Sequence, residues 1–196
     1  MYEYLDRVLK KLVRTIQRTF QSYRTLPFDE LNVMPSTKTL YDDLEEANFE
    51  AFMLIVNHYY RKEVGEASKK KFTERQLREI LRTPSKVMKY SYDSEVVRKR
   101  DRLIEAVIAT SGNVAEIDKA MRYWVQMTGW FAVEVADAAV AQARKDTKIR
   151  RVVWRAEHDE KTCSTCHHLD GRIFNINAVP PKPHPGCRCW TEDITS

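Results

Sequence analysis

Apolar positions recur at helical spacing over most of this chain. Leu5, Val8, Leu12, Ile16, Phe20 and Tyr23 form one stripe, with Lys and Arg opposite, and predict an amphipathic helix over about residues 2–24. Pro27 and Pro35 bracket a loop. Ser36 is an N-capping residue type, so a longer helix is expected from there to about Lys70, with the stripe Leu40, Leu44, Ala47, Ala51, Leu54 and His58. Thr73 and Gln76 have capping-box spacing and predict a short helix before Pro84. A further helix is expected over about residues 94–110, stopped by Ser111-Gly112. Asn113 with Glu116 opens another, expected to bend near Thr128-Gly129 and continue to about Lys145. Its second half, from Ala132 to Ala143, is rich in alanine. Small side chains let helices approach closely, which places this segment at the centre of a bundle.

After Asp146 the period changes. Residues 151–155, Arg-Val-Val-Trp-Arg, alternate and are β-branched, which predicts a strand. Residues 172–175 and 188–191 are a second and third candidate. Pro180, Pro181, Pro183 and Pro185 exclude helix between them. The expected architecture is α+β: a mainly α-helical bundle over 1–147, then a small zinc-stabilised β module over 148–196.

A length of 196 residues fits one domain with an appendage, or two small domains. The net charge of +5 permits contact with nucleic acid or an acidic protein and requires neither. No apolar run reaches membrane-spanning length, and the N-terminus lacks the basic start and apolar stretch of a secretory signal. A cytosolic protein is therefore expected. Its thiols stay reduced, which favours metal over disulfides for closely spaced cysteines.

All four cysteines lie in one stretch: Cys163-Ser-Thr-Cys166, then His184-Pro-Gly-Cys187-Arg-Cys189. Two cysteines separated by two residues can grip one ion from a single turn. His184 and Cys187 can do so from the other side, and strand alternation would put Cys187 and Cys189 on one face. Zinc takes four Cys or His ligands in a tetrahedron, so five candidates compete for four places. Cys163, Cys166 and Cys189 are the expected ligands, with His184 or Cys187 completing a closed, structural site. Such binding contributes on the order of 10 kcal/mol to small modules, enough to fold a segment with few core hydrophobes.

His167-His168, with Asn175 or Asn177 and His184, superficially spells a His-Asn-His nuclease. That fold needs its last histidine on a helix, whereas His184 sits between prolines. These histidines are expected to decorate a loop beside the metal. Asp170-Gly171 is expected to turn the chain into the second strand, and Asp159 to brace the loop before Cys163. Arg144, Lys145, Lys148, Arg150 and Arg151 form a basic cluster next to the module, a candidate for sequence-independent phosphate contact on DNA. The pairs Tyr59-Tyr60, Tyr90 with Tyr92 and Tyr123-Trp124 are expected in the core or at subunit contacts.

The residues Trp154, Asp159, Thr162-Cys163-x-x-Cys166-x-x-Leu169-Asp170-Gly171 and Phe174, followed by Pro180-Pro181-x-x-His184-Pro185-x-Cys187-Arg188-Cys189, resemble the Mu F-like minor head proteins of tailed bacteriophages. The likeness covers about the last forty-five residues, and residues before about 110 match no motif. It implies a non-enzymatic virion component, made in the bacterial host cytoplasm and seated inside the head near the portal vertex. Such a protein would act in capsid assembly and in DNA packaging or delivery. Its expected partners are the portal protein and other head proteins, with no membrane. By that likeness Cys163, Cys166, His184, Cys187 and Cys189 form the metal knuckle. Some relatives carry an appended enzymatic or toxin domain; only residues 190–196 follow the motif, so none is expected downstream. A free DNA-binding zinc protein and a metal-dependent nuclease are the rival readings.

Overall fold

The computed structural model describes residues 2–29, 31–65 and 68–194. Five helices precede the module: α1 Glu3–Arg24, α2 Val33–Val64, α3 Glu74–Arg82, α4 Tyr92–Thr110 and α5 Val114–Asp146. Then follow β1 Arg151–Arg155, α6 Ser164–Leu169, β2 Ile173–Asn175, a 3-10 turn Ile176–Ala178 and β3 Trp190–Asp193. The α+β reading holds: helices dominate, and a three-stranded antiparallel sheet of order β2-β1-β3 closes the chain.

The first stripe behaves as its spacing requires. Leu5, Leu12, Ile16, Phe20 and Tyr23 are buried along α1. The second helix departs from expectation at both ends. It begins at Val33, after a turn in which the Asp29 carboxylate accepts the backbone N–H groups of Leu31 and Asn32. Pro35 then falls in the first turn, where a missing N–H removes no intrahelical bond. The helix stops at Val64, where Gly65 adopts φ +85° and its N–H bonds the Arg61 carbonyl. The expected continuation to Lys70 is therefore absent, with residues 66 and 67 outside the described residues. Beyond Ala51 the buried face carries Phe52, Ile55, Val56 and Tyr59 instead of the expected stripe, and Leu54 points outward at 55% exposure. His58 instead stacks its ring on Tyr4 of α1 at 3.8 Å.

The Thr73–Gln76 capping box forms in both directions at the start of α3. Helix α4 begins two residues earlier than expected, because Ser91 accepts the Ser94 N–H as its N-cap. Helix α5 opens at Asn113, whose side chain accepts from Ala115, and continues through Thr128-Gly129 without a break in its helical pattern. Its Ala132, Ala136, Ala139 and Ala143 are fully buried, at spacings that put them on one face. Helices α2 and α5 form the most extensive pairing in the body, and each also packs against α1, α3 and α4. Tyr59, Tyr60, Tyr92 and Trp124 are core residues, as expected, while Tyr90 and Tyr123 pack at its margin. Among the polar links across this core, the Asn48 amide of α2 donates to Tyr92 Oη of α4 at 2.8 Å and to Thr128 Oγ1 of α5 at 2.9 Å.

The sheet pairs Arg151 with Asn175 on one side of β1 and Arg155 with Trp190 on the other. The third strand starts at Trp190 rather than Arg188, because Cys187 and Cys189 are drawn into a separate small core with Trp154, Ala156 and Cys166. Cys163, Leu169, Phe174 and Val179 pack around it.

Candidate metal centre

The first cysteine pair sits at the start of α6. Cys163 is its N-cap position and Cys166 lies one turn on, fully buried. Asp159 braces the approach, as expected. Its carboxylate accepts the Lys161 N–H at 3.0 Å and the Thr162 hydroxyl at 3.1 Å, and pairs with Arg188 from the second half of the motif. Asp170 closes the other end: Oδ1 accepts the Ala156 N–H at 2.8 Å and Oδ2 lies 3.1 Å from His158 Nε2. Gly171 at φ +74° then turns the chain, and its N–H bonds the Trp154 carbonyl. Each acid of the motif thus ties the cysteine-bearing turn to its surroundings.

The second pair arrives on the proline-rich loop. Gly186 carries φ +70°, and a Cβ there would come within 3.3 Å of the Trp130 ring. Both backbone conformation and close approach favour glycine at this position. The turn delivers Cys187 and Cys189 against Cys166. The three Sγ atoms all lie within 4.8 Å of one another, and the Cys166–Cys187 distance is 3.4 Å. This is far from a bonded disulfide, near 2.05 Å, and all four cysteines are free thiols. It is close to the spacing of about 3.8 Å that four sulfurs around one zinc would adopt at Zn–S near 2.3 Å. Cys163 packs against this cluster and its thiol interacts with that of Cys166, but it lies outside the trio. Burial, and then hydrogen bonds from the neighbouring thiols, push the Cys166 thiol far above the ordinary range; burial raises Cys187 as well. Such a dry cluster of uncompensated thiols suits a bound cation that would take them as thiolates.

His184 does not join the sulfurs. Its Nδ1 lies 3.1 Å from the carbonyl of Pro185, and it lines a groove on the body side of the loop. His168 bonds the Arg172 guanidinium, and His167 stands beside His158; both are exposed on α6. Among the described residues the cysteine trio is the one group of three or more ligating side chains close enough to hold a metal.

Of the basic cluster, Arg144 faces inward. It is buried between α2 and β3, with Nε 2.6 Å from Asp193 and 3.7 Å from Glu63, and it donates to the Thr191 carbonyl at 2.7 Å. It is spent on packing and is not available to a phosphate. Lys145, Lys148, Arg150 and Arg151 are exposed.

Sequence alone attaches no role to Tyr2, Asp137 or Lys182. The Lys182 ammonium, from the proline-rich loop, meets Asp137 of α5 at 2.9 Å and the Cys187 carbonyl at 3.0 Å. The Tyr2 hydroxyl bonds Asp137 at 3.0 Å and reaches the Cys189 carbonyl at 3.4 Å. The one legible signal was a pair of carboxylates, Glu134 and Asp137, inside an otherwise small and apolar helical segment.

No curated protein and no solved structure matches the chain. No helix among the described residues is long and apolar enough to cross a membrane. A family model described as Phage Mu protein F like protein matches residues 69–192, so the likeness extends beyond the cysteine motif to take in α3, α4 and α5. The chain belongs to the Phage Mu protein F like family of head morphogenesis proteins.

Proposed function

We propose that this protein is a structural, non-enzymatic minor head component of a tailed bacteriophage, seated inside the head near the portal vertex. There it acts in head morphogenesis and in DNA packaging or delivery, with the portal protein and other head proteins as partners. The family match over residues 69–192 carries this reading. The cysteine cluster supports it: the three converging thiols are exposed by 3% or less, a burial that suits a structural site. In this reading the knuckle holds one zinc on Cys163, Cys166, Cys187 and Cys189, and His184 is the spare candidate. Zinc bound there would lock the cysteine-bearing turn to the proline-rich loop.

Lys145, Lys148, Arg150 and Arg151 are the candidate DNA contacts, because all four are exposed and none forms an ion pair among the described residues. The test is mass spectrometry of purified procapsids and virions, with co-purification on tagged portal protein. A few copies per particle and portal-dependent recovery are expected. Absence from both particles would sink the reading.

A further inference from the structure

Between the helical body and the knuckle lies a groove of about 670 Å³, within the range of roughly 300–1,000 Å³ typical of sites that bury a ligand. Helix α5 and the loop after α3 form one wall, and the proline-rich loop with the start of β3 forms the other. Trp130, Val87, Pro181 and Trp190 give it an apolar, aromatic lining. Glu134 interrupts that lining. It lies one helical turn beyond Trp130, on the same face of α5. Its Oε1 accepts the Ser85 hydroxyl at 2.5 Å, and it forms no ion pair among the described residues.

Lys182 also lines the groove, but its ammonium is taken up by Asp137, Tyr2 and the Cys187 carbonyl. Burial, with Asp137 adding to it, pushes the Glu134 carboxyl above the usual range against the pull of Ser85 and Lys182. A half-buried carboxylate without a counter-ion costs stability, and an incoming cation would relieve that cost. A guanidinium also packs well against indole faces.

We propose that this groove docks an extended segment of a partner protein that carries an arginine or lysine between apolar residues. The basic side chain meets Glu134, and its apolar neighbours cover Trp130 and Trp190. The exposed Lys86 and Lys145 at the rim are held in water, where salt screens them. The proposal rests on the head-protein reading only for the identity of the partner as another particle component.

The test is selection of arrayed random nonapeptides on the full-length protein, wild type against E134Q. Thermal stability of both proteins is measured alongside. A net charge of +5 attracts acidic peptides non-specifically, so enrichment of basic ones runs against the background. The expected result is enrichment of Arg- or Lys-centred apolar peptides on the wild type. E134Q should bind them at least tenfold more weakly while remaining no less stable, since it removes the buried charge and keeps an acceptor for Ser85. No enrichment, acidic enrichment, or basic enrichment unchanged in E134Q would overturn the proposal. Because the probes are synthetic, each of those outcomes leaves the particle experiment to decide the head-protein reading by itself.

Discussion

Lys182 of the proline-rich loop and Asp137 of α5 form an ion pair at 2.9 Å, and the same ammonium holds the carbonyl of Cys187. The pair joins the backbone of a cysteine-bearing turn to α5. Lys182 is only 14% exposed while Asp137 is 33% exposed, so the pair is partly screened. Asp137→Asn should therefore cost about 1.5 kcal/mol, the low end for hydrogen bonds to charged groups. Limited proteolysis should show new cleavage in the 180–188 loop, with helical circular dichroism unchanged. Unchanged protection of that loop would show that the tie contributes nothing.

The knuckle predicts metal content and its pH dependence. Protein purified without chelator should carry about one zinc per chain by elemental analysis. Cys166→Ser should abolish it and His184→Ala should retain it. The Cys166 and Cys187 thiols are raised by burial, so without metal these two are protonated at neutral pH and zinc must displace their protons. Affinity should fall as pH falls, with proton release on binding seen by calorimetry in buffers of different ionisation enthalpy. Loss of metal in the His184 variant would return that residue to the ligand set.

Glu95 predicts an acid-side loss of stability. Its side chain is 2% exposed. Burial alone would raise its carboxyl, but hydrogen bonds from Arg98 and Tyr123 and the charges of Arg98 and Lys99 win, holding it below the ordinary range. A lowered folded-state value means stability that is full above the unfolded pKa near 4.3. That stability is lost as pH falls through the lower folded value. Melting temperature should drop below about pH 4, and Glu95→Gln should flatten that slope while lowering stability at pH 7. An unchanged slope would refute the assignment.

Gly112 predicts a steric cost separable from a conformational one. It ends α4 at φ +82°, and a Cβ there would lie 2.2 Å from Phe28 Cδ2. Gly65 has a similar φ of +85° and open space around it. Gly65→Ala should cost about 1 kcal/mol, and Gly112→Ala about 1–3 kcal/mol more, from overpacking. Adding Phe28→Ala should recover part of that excess in a double-mutant cycle. Equal costs at the two glycines would remove Phe28 from the argument.

Arg144 and its exposed neighbours should separate cleanly. Arg144→Ala breaks a buried ion pair, so it should lower stability by about 3 kcal/mol. Neutralising Lys145, Lys148, Arg150 and Arg151 together should leave stability nearly unchanged. If those four contact DNA, it should also weaken non-specific binding and cut the slope of log affinity against log salt by up to about 3–4. An unchanged slope would remove the cluster from any DNA interface.

What the sequence determined by itself were the features written locally. The α1 stripe, the Thr73–Gln76 box, the Ser111-Gly112 stop, the alanine face of α5 and the strand at 151–155 each depend on neighbours within a turn or two, so spacing exposes them. The cysteine pairs were equally plain, because liganding turns are short. The second helix was less legible: Ser36 has the character of a cap, while the helix starts three residues earlier, and beyond Ala51 its buried face packs on distant residues, Phe52 on Tyr92 and Tyr59 on Tyr2. Only the tertiary structure decided which of five candidate ligands converge, since the proline-rich loop must fold back over α6 before Cys187 and Cys189 can meet Cys166. It alone turned Arg144 inward, by bringing Asp193 and Glu63 to it from segments 49 residues later and 81 residues earlier in the chain. Pairings at such separations leave no local period, because their energy is realised only when the body and the knuckle come together.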